Sequence, residues 1–302
     1  MNPEILDKYI QAGKIAAEVR EKSAEIAKVG MPLLELAEKI ESMIKESGAE
    51  PAFPVNLSLN EFAAHYTPQS NDETKIKSGD VLKIDVGTHI DGYIADTAIT
   101  VDFGNNSKLL QASRDALNAA VDLVKPGVTI EKISAAIEET IKSFDFRPIE
   151  NLTGHGLDQY MEHTEPTIPN ISLRNDYKLK EDQVIAIEPF ATNGAGHVKD
   201  TSEVMIFSFS QDKPVRSIDA KKLAVYAGRF NGLPFAERWL LTREAAAAGV
   251  PNSLFKIRIA LRELVQRGVL YSYPVLRDAK GGLVSQAEHT IVVLEDPIVI
   301  TK

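Results

Sequence analysis

The sequence predicts an α+β fold in which pairs of helices alternate with groups of antiparallel strands. Two pairs of amphipathic segments at helical spacing and several short strand-like runs lead to this prediction, together with 44% hydrophobic residues in a chain of 302. A chain of this length and composition can bury one large core together with a smaller accessory unit.

Four helices are predicted in the first half of the chain, as two pairs that are each interrupted by glycine and proline. They cover Glu4–Lys28, Leu33–Ser47, Ser107–Val124 and Ile130–Ser143. An offset of 97 residues maps the apolar positions of the second helix onto those of the fourth, namely Leu33, Leu36, Ile40 and Ile44 onto Ile130, Ile133, Ile137 and Ile141. His65 and His163 lie 98 residues apart, close to the same offset. Such matches are partly expected of any two amphipathic helices, so an internal duplication and a chance match both stay open.

Strand-like runs of apolar and β-branched residues follow the helices. They are Val81–Thr88, Tyr93–Val101, Val184–Glu188, Glu203–Phe209 and Glu288–Leu294. The dipeptide Asp91-Gly92 between the first two runs suits a tight hairpin turn. With this turn, Asp85 lies opposite Ala98. Asp96 lies opposite Gly87, so both aspartates project from one face of the ribbon.

The stretch 210–277 differs in charge from the rest of the chain. It carries 12 Lys and Arg against 5 Asp and Glu, a net charge of +7, whereas the whole chain carries −9. Its predicted elements are a helix between Pro234 and Gly249, a second helix at Ser253–Arg267 and a strand at Val269–Leu276. We therefore expect a host domain of residues 1–209 and 278–302 with a basic inserted subdomain at 210–277.

The composition narrows the possible chemistry and location. The chain has no cysteine, which excludes disulfides and thiolate metal ligands, so any metal is held by His, Asp or Glu. The opening stretch Met1–Arg20 has no long apolar run of the kind that a signal peptide or a membrane helix needs. A cytoplasmic protein without membrane association is therefore expected.

Four carboxylates occupy strands or strand ends. Asp85 and Asp96 lie in otherwise apolar strands, where aspartate is disfavoured without a specific role. Glu188 ends the run QVIAIEP, and Glu288 opens the run EHTIVVL. A carboxylate set into a buried strand must be paired, protonated or bound to a metal. The alternative is an exposed position that reaches water, and the strand pattern alone leaves it open.

The six histidines are more ambiguous when each is taken singly. His155 lies in TGHGLDQYMEH, which predicts a glycine-rich loop with close approach to the backbone. His65, in LSLNEFAAHY, and His163 are more often structural than functional on their own. The other three are interpreted as structural: His89 at the hairpin turn, His197 in a Gly-Ala-Gly loop and His289 on the strand face opposite to Glu288.

One imidazole and four carboxylates together form a candidate set for a pair of metal ions: Asp85, Asp96, His155, Glu188 and Glu288. Two divalent ions would neutralise the four negative charges, which would otherwise raise one another's pKa values. Oxygen ligands with one nitrogen suit Mn, Fe(II), Co or Zn, and two such ions generate a hydroxide for hydrolysis. Motifs of other reaction classes, such as GxxxxGK[ST], HExxH and GxSxG, are absent.

These residues lie in segments that resemble the methionine aminopeptidases, and specifically the type 2 branch of archaea and eukaryotes. The matching segments are FPVNLSLNEFAAHYTP, IDVGTHIDGYIADTA, GHGLDQYMEH, IEPF and QAEHTI, in the expected order across most of the chain. The resemblance implies a pseudo-symmetric "pita-bread" fold with a winged-helix-like subdomain at 210–277. It also implies removal of the initiator methionine from nascent polypeptides, before a small second residue, by a monomer that holds two metal ions.

The resemblance further implies a role for each ligand. Asp85 would bind one ion, and His155 with Glu188 would bind the other. Asp96 and Glu288 would bridge the two ions. A hydroxide between the ions would attack the scissile carbonyl, with Glu188 as a candidate proton acceptor.

Substrate contacts are implied as well. His65 and His163 would contact the peptide, polarising its carbonyl and handling the leaving amine. Phe53 and Tyr273 would hold the methionine side chain, although both residues also suit ordinary core positions. Thr164-Glu165, directly after His163, departs from the small residues expected there, which bears on the fine substrate preference.

Two other functions compete with the one that this resemblance implies. Prolidases and aminopeptidases P use a similar ligand set but usually carry a substantial extra N-terminal domain. A catalytically silent relative that binds RNA or ribosomes typically loses metal ligands, whereas all five are present here. For the basic subdomain, contact with ribosomal RNA phosphates and a solvated surface beside the active site both stay open.

Overall fold

Helices and strands alternate along the chain as predicted, and the computed structural model describes all residues from Met1 to Lys302. The helices are α1 (Pro3–Ile26), α2 (Leu33–Glu46), α3 (Ser107–Val121), α4 (Ile130–Ser143), α5 (Ile218–Ala227), α6 (Arg243–Ala247) and α7 (Leu254–Gln266). Short 3₁₀ helices lie at Gly228–Phe230 and Glu237–Leu241. None of these helices combines the length and the apolar character that crossing a membrane requires.

The strands form four sheets. They are β1 (Glu50–Pro51), β2 (Asn56–Leu59), β3 (Phe62–Ala64), β4 (Val81–Ile90), β5 (Tyr93–Asp102), β6 (Arg147–Pro148), β7 (Thr153–Asp158), β8 (Met161–Pro169), β9 (Val184–Ile187), β10 (Phe190–Thr192), β11 (Val198–Phe209), β12 (Phe235–Ala236), β13 (Leu270–Asp278), β14 (Val284–Gln286), β15 (His289–Val292) and β16 (Ile298–Val299). The strand orders are β1-β4-β2 with β5 paired to β4, β14-β10-β6, β12-β11-β13-β3 and β16-β15-β9-β7-β8.

Each half of the host packs a helix pair against a sheet. In the first half, Leu36 of α2 lies in one buried cluster with Leu57 and Ile84 of the β4 sheet. In the second half, α3 and α4 share a buried cluster with β9 and β15. Each fully buried Leu or Ile contributes about 1.5–3 kcal/mol of stability. The apolar stripes predicted for the helices therefore hold both pairs on their sheets.

The predicted offset of 97 residues holds for the two equivalent helices α2 and α4. Both helices have 14 residues and begin at Leu33 and Ile130. The buried positions that correspond are Leu33, Leu36, Ala37, Ile40 and Ile44 in α2, and Ile130, Ile133, Ser134, Ile137 and Ile141 in α4. The residue before each helix, Pro32 or Thr129, forms an isolated β-bridge. The two halves therefore repeat one helical unit.

The β4–β5 hairpin turns at Asp91-Gly92, as predicted. Both turn residues have positive φ angles, 50° and 87°, which a two-residue type I′ turn requires. Asp85 lies opposite Ala98 in the register, and Asp96 lies opposite Gly87. The predicted pairing is confirmed, and it puts both aspartates on one face of the hairpin.

Hydrogen bonds between side chains and backbone join β5 of the first half to β15 of the second. The Asp96 N–H donates to Thr290 Oγ1, and the Thr290 hydroxyl donates to the Asp96 carbonyl, both at 2.8 Å. The Thr97 hydroxyl donates to the Glu288 carbonyl at 2.8 Å. The junction between the halves therefore carries Asp96 and Glu288, two of the predicted metal ligands.

A separate buried cluster between Phe207 and Leu270 contains side chains of α5, α6 and α7. The helix predicted between Pro234 and Gly249 is wrong in part, because β12, a 3₁₀ helix and the short α6 take its place. Phe235 pairs with Phe207 of β11, so the sheet overrides the local helical pattern. Helix α5 is not among the elements predicted from the sequence. The domain boundaries at 210 and 277 stay a prediction.

Arg238, in the 3₁₀ helix at Glu237–Leu241, is buried against α2. Its guanidinium forms an ion pair with Glu41 of α2 and donates to Thr67 Oγ1 and the Pro68 carbonyl. The indole N–H of Trp239 donates to the second oxygen of Glu41 at 2.9 Å. The 3₁₀ helix at Glu237–Leu241 is therefore fixed to α2 through one carboxylate.

Candidate active site

The β4–β5 hairpin positions the first two carboxylates. Asp96 is only 4% exposed, and its carboxyl interacts electrostatically with that of Asp85. Gly87, opposite Asp96, lies under the ring of Phe53, and a Cβ at this glycine would overlap that ring. The glycine therefore lets an aromatic side chain pack directly against the strand that carries both aspartates.

His155 lies on β7, not in the glycine-rich loop that the sequence predicted. The strand pairs with β9, His155 opposite Ala186. A Cβ at Gly154 would overlap the Ala186 carbonyl, so the glycine reflects close strand packing and not a loop. His155 is 5% exposed, and its Nε2 lies 3.9 Å from Asp96 Oδ2 and 3.8 Å from Glu188 Oε1.

The two glutamates flank neighbouring strands of the second half. Glu188 directly follows β9, and Glu288 directly precedes β15. The Glu288 N–H donates to the carbonyl of Ala98, the residue opposite Asp85 in the hairpin. The exposed fraction is 15% for the side chain of Glu188 and 1% for Glu288. Both carboxylates therefore lie inside the protein, which disfavours the alternative that they simply reach water.

The ligand atoms are close enough to share metal ions. One atom each from Asp96, His155 and Glu288 lies within 4.8 Å of the other two. Three buried oxygens have no hydrogen-bond partner: Asp85 Oδ1, Asp96 Oδ1 and Glu288 Oε1. Burying a carboxylate oxygen without a partner is unfavourable in free energy. A bound cation would supply the missing partner for these three oxygens. The donor set, oxygen with one imidazole nitrogen, fits divalent metal.

The protonation equilibria of the cluster follow from its burial. Burial raises the pKa of Asp85 to about 7. Burial, and then the charge of Asp85, raise the pKa values of Asp96 and Glu188 well above their usual range. Burial, and then His163, lower the pKa of His155 to about 3, so its ring is neutral at pH 7 with an available lone pair. A bound cation would relieve the repulsion that raises the carboxyl pKa values.

Two further histidines lie beside this cluster. His65 has a left-handed backbone with a φ of 65°, an uncommon conformation that clusters at functional sites. Its Nδ1–H donates to the Pro274 carbonyl at 3.0 Å, and its ring meets that of Tyr273 edge-on at 5.6 Å. The ring of His163 lies 4.3 Å from that of His155. The side chain of His163 is 54% exposed, and partial desolvation, and then His65, lower its pKa.

One cavity of about 210 Å³ brings the predicted site residues together. All nine line it: Phe53, His65, Asp85, Asp96, His155, His163, Glu188, Tyr273 and Glu288. Phe190, Ile206 and Pro234 add apolar wall. The cavity therefore has a charged floor and a partly apolar wall, while the roles of the individual residues stay predictions.

The sequence of the chain matches the model of metallopeptidase family M24 over residues 7–221. It is 50% identical to the methionine aminopeptidase of Pyrococcus abyssi over 299 residues, which are 98% of this chain and 99% of that relative. The chain belongs to the methionine aminopeptidases of family M24. It is also 44% identical to the methionine aminopeptidase of Methanocaldococcus jannaschii over 303 residues, 100% of this chain and 99% of the relative. The predicted class of metallo-aminopeptidase is confirmed.

Solved structures confirm the pita-bread fold. A thermophilic Arx1 structure matches with a TM-score of 0.85 at 20% identity, over 99% of this chain and 91% of the other. The methionine aminopeptidase of Thermotoga maritima matches with a TM-score of 0.72 at 21% identity, over 100% and 98% of the two chains. The prolidase of Pyrococcus furiosus gives 0.61 at 18% identity, over 100% and 64%. These likenesses concern the fold alone.

The site of this M24 enzyme contains a glutamine that the sequence analysis missed. Gln286 is 1% exposed, and its Nε2 lies 3.2 Å from Asp85 Oδ2, 3.5 Å from Glu188 Oε2 and 3.4 Å from Glu288 Oε2. Its position two residues before Glu288 is a usable signal, because alternate residues of an extended segment share a face. One amide therefore contacts three of the candidate ligands.

Glu162 is the second residue that the sequence analysis missed. It lines the same cavity, and its Oε2 is buried without a hydrogen-bond partner. Burial, and then Asp85, raise the pKa of Glu162 to about 8. Strand alternation would place it on the opposite face from His163. The β7–β8 register shifts here, so the local sequence pattern does not predict a position in the cavity.

The three histidines interpreted as structural lie outside the cavity of this aminopeptidase. His89 packs against the ring of Tyr160 near the hairpin turn. His197 lies beside Glu150, with 2.9 Å between Nδ1 and Oε1. The distance between His289 Nδ1 and Thr301 Oγ1 is 2.9 Å. None of them adds a ligand to the cluster.

Proposed function

We propose that this methionine aminopeptidase removes the initiator methionine from nascent polypeptides with a small second residue, using two divalent ions. The observation that carries the proposal is the convergence of four carboxylates and one neutral imidazole on the floor of a cavity with an apolar wall. The ions are Mn, Fe(II), Co or Zn, since the oxygen-rich set accepts each of them.

The proposal divides the five ligands between the two ions. Asp85 would hold one ion, and His155 with Glu188 would hold the other. Asp96 and Glu288 would serve both ions, in keeping with their place at the junction of the two halves. When bound, such a pair supplies a hydroxide at neutral pH and polarises the scissile carbonyl.

His65 and His163 form hydrogen bonds with the peptide substrate. A carbonyl oxygen only accepts, so His65 carries its proton on Nδ1, facing Pro274. Burial lowers the pKa of His65, so the ring is neutral at pH 7 and its Nε2 is an acceptor for a peptide N–H. His163, whose pKa is lowered, is also neutral and offers the scissile carbonyl a hydrogen bond. Glu188 would accept the proton that the attacking water loses as it becomes the hydroxide.

The apolar wall is the proposed site for the methionine side chain. Phe53 packs on β4 above Gly87. Tyr273 is held by the hydroxyl of Ser208, 3.1 Å from its own. Both rings are therefore held in place before the substrate binds. Less side-chain conformational entropy is then lost on binding.

Peptide cleavage tests this function directly. Chelator-stripped protein is assayed for methionine release from Met-Ala-Ser and Met-Leu-Ser, before and after addition of Mn, Co, Fe(II) or Zn. We expect metal-dependent cleavage of the alanine peptide with little of the leucine peptide. Asp96→Asn, nearly equal in shape, is the matched control and should stay inactive. No release from either peptide with any metal would refute the proposal.

We also propose that residues 210–277 form a basic subdomain through which a cytoplasmic, monomeric enzyme contacts ribosomal RNA. The support is its net charge of +7 in a chain of −9, because phosphate contacts need basic side chains. Co-sedimentation with ribosomes should then fall steeply between 50 and 200 mM salt, as counterion release requires. Absence of co-sedimentation at low salt would leave a solvated surface as the better interpretation, and gel filtration checks the monomer.

A further inference from the structure

A buried arginine lies behind the two strands that carry Asp96 and Glu288. Arg20 belongs to α1 and is 7% exposed, and it is the one charged residue among the buried residues of that helix. It does not line the cavity. A buried charge needs polar partners to offset the loss of its hydration. The contacts of the guanidinium therefore indicate what this position requires.

The inward nitrogen of this guanidinium, Nη1, contacts both halves of the host. It donates to the hydroxyl of Thr97 at 2.5 Å and to the carbonyl of Thr301 at 3.0 Å. Thr97 lies on β5 of the first half, and Thr301 follows β16 of the second half. One side chain of α1 therefore joins the two halves on the side away from the cavity.

The hydroxyl of Thr97 connects Arg20 to a proposed metal ligand. A guanidinium only donates hydrogen bonds, so the Thr97 oxygen accepts from Arg20 and its proton points to the Glu288 carbonyl, 2.8 Å away. The Glu288 N–H donates to the Ala98 carbonyl at 3.1 Å. Both polar backbone groups of Glu288 are therefore bonded to the two residues that directly follow Asp96.

A second set of contacts behind the strands passes through Thr301. Its hydroxyl accepts from the Thr290 N–H at 3.1 Å and lies 2.9 Å from His289 Nδ1. Arg20 Nη1 lies 3.4 Å from the same ring nitrogen. Because Nη1 can only donate, Nδ1 is the acceptor in this arrangement, and the Thr301 hydroxyl donates to it. The two residues after Glu288 are thus held by the group that also holds Thr97.

These contacts lie where no backbone ladder fixes the strands. β5 and β15 belong to different sheets, and the hydroxyls of Thr97 and Thr290 join them instead. One ligand oxygen of Asp96 and one of Glu288 lie within 4.8 Å of each other, and like charges at such a distance repel. A small shift between the strands would therefore change the separation of the two carboxylates.

The choice of arginine for this position also points to the inward contacts. An apolar side chain would pack there without the cost of burying a charge. The outer end of the guanidinium pairs with Glu21 at 2.7 Å, but the Glu21 side chain is 58% exposed, and exposed ion pairs contribute little stability. The hydrogen bonds to Thr97 and Thr301 are what an apolar residue could not provide.

We propose that Arg20 is a positioning residue for the metal site: through Thr97 it fixes the separation of Asp96 and Glu288 from the side opposite to the cavity. This inference rests on the proposed function, in which these two carboxylates serve both ions. Arg20 contacts neither metal nor substrate, so it acts on the affinity and spacing of the ions and not on peptide binding.

The test removes the contact at either end. Arg20→Met keeps a long side chain without its donors, and Thr97→Val keeps the shape of threonine without its hydroxyl. Thr97→Ser retains the hydroxyl and is the conservative variant. Glu21→Gln is the matched control, because it neutralises the exposed partner of Arg20 and leaves the inward contacts in place.

Two measurements that need no turnover are made on Mn(II)-loaded protein. Calorimetry gives the affinity of each ion, and electron paramagnetic resonance shows whether the two ions are magnetically coupled, as ions with shared ligands are. We expect Arg20→Met and Thr97→Val to weaken the second ion roughly 10–100-fold, because groups behind the ligands orient them. Both variants should lose the coupled spectrum, whereas Thr97→Ser and Glu21→Gln should keep it. For Met-Ala-Ser, kcat should fall in Thr97→Val while KM changes less than twofold.

The wild-type protein separates the two proposals. A wild type that binds a single ion, or two ions without coupling, would contradict the proposed function and this inference with it. A coupled wild type together with coupled spectra and unchanged affinities in Arg20→Met and Thr97→Val would overturn the role of Arg20 alone.

Two further results would also overturn the role of Arg20. Equal loss of metal affinity in Glu21→Gln would indicate a general weakening of α1. Failure of Thr97→Ser to restore the affinity that Thr97→Val loses would assign Thr97 to packing. If Arg20→Met does not fold, the comparison of valine and serine at position 97 decides the question, since both side chains fit the space of threonine.

Discussion

The ion pair between Glu41 and Arg238 connects the inserted stretch to the host, and its removal gives a sharp prediction. Arg238 is 8% exposed and Glu41 is 9% exposed. Glu41→Ala leaves the guanidinium with Thr67 and Pro68 as neutral partners and without its paired carboxylate, because Glu38 acts on it only through a weaker electrostatic interaction. It also removes the acceptor of the Trp239 indole N–H. The variant therefore leaves the buried charge of Arg238 and the indole N–H of Trp239 without their partner.

The magnitude follows from this geometry. Removing one partner of a buried ion pair costs about 3–5 kcal/mol, mostly because the remaining charge stays buried. A chain of this size shifts its melting temperature by about 2 °C for each kcal/mol. We therefore expect Glu41→Ala to melt roughly 6–10 °C below wild type. Pro234, four residues before Arg238, lines the cavity, so KM for Met-Ala-Ser should rise while metal content stays the same.

Scanning calorimetry with two controls checks the reasoning. The exposed pair of Glu35 and Lys39 lies on the same helix, and Glu35→Ala should shift the melting temperature by about 1 °C, as surface pairs do. Glu41→Met combined with Arg238→Met removes both charges and should recover most of the loss. A Glu41→Ala variant that melts with wild type, or a double variant no more stable than the single one, would refute the buried-charge account.

Three further predictions concern the metal site. Asp96→Ala or Glu288→Ala should lose tight binding of the metal pair, whereas His163→Ala should keep the metal and lose catalytic rate. Metal content measures the binding, and methionine release measures the rate. Full activity in Asp96→Ala or Glu288→Ala contradicts the assignment of these residues as metal ligands. Gln286→Leu should weaken metal binding roughly 10–100-fold, because residues that hydrogen-bond to metal ligands orient them. Competition with a chelating dye measures the metal affinity. An unchanged affinity would mean that the amide of Gln286 does not orient the ligands. Chelator-stripped protein should lose stability as pH rises from about 6.5 towards 8, since folded Asp85 and Glu162, with pKa values of about 7 and about 8, hold protons that the unfolded chain has released, while the histidines are largely neutral in both states. Urea midpoints at about pH 6.5 and pH 8 test the sign, and a midpoint that rises with pH is the contrary result.

Much of the fold could be predicted because its signals are local. The apolar spacing of Ile130–Ser143 predicts α4 with the bounds that the structure shows. The Asp91-Gly92 turn fixes the whole β4–β5 register. The inserted stretch was harder, because Phe235 enters a ladder with Phe207 of a distant strand. A tertiary pairing of this kind leaves no mark in the local sequence pattern.

All nine predicted site residues line the cavity, but the titratable Glu162 and the placement of His155 on a strand were not predicted. His155 was expected in a loop because two glycines flank it, whereas Gly154 serves strand packing against Ala186. Gln286 carries no charge, so the residue types expected as metal ligands in a chain without cysteine, His, Asp and Glu, do not include it. Glu162 enters the cavity only through a shift in strand register. Resemblance to a family supplied the roles of the ligands, since spacing alone left their exposure open.

The placement of the ligands has a consequence for folding as well as for catalysis. Asp85 and Asp96 belong to the first half of the host, and His155 belongs to the second. The halves meet through the hydrogen bonds between Asp96 and Thr290, so the carboxylates that repel one another lie at the seam between them. Ions bound there would turn that repulsion into attraction between the halves. Metal binding would then contribute directly to the free energy of folding, and the pH-dependent weakness expected of chelator-stripped protein should disappear when metal is restored.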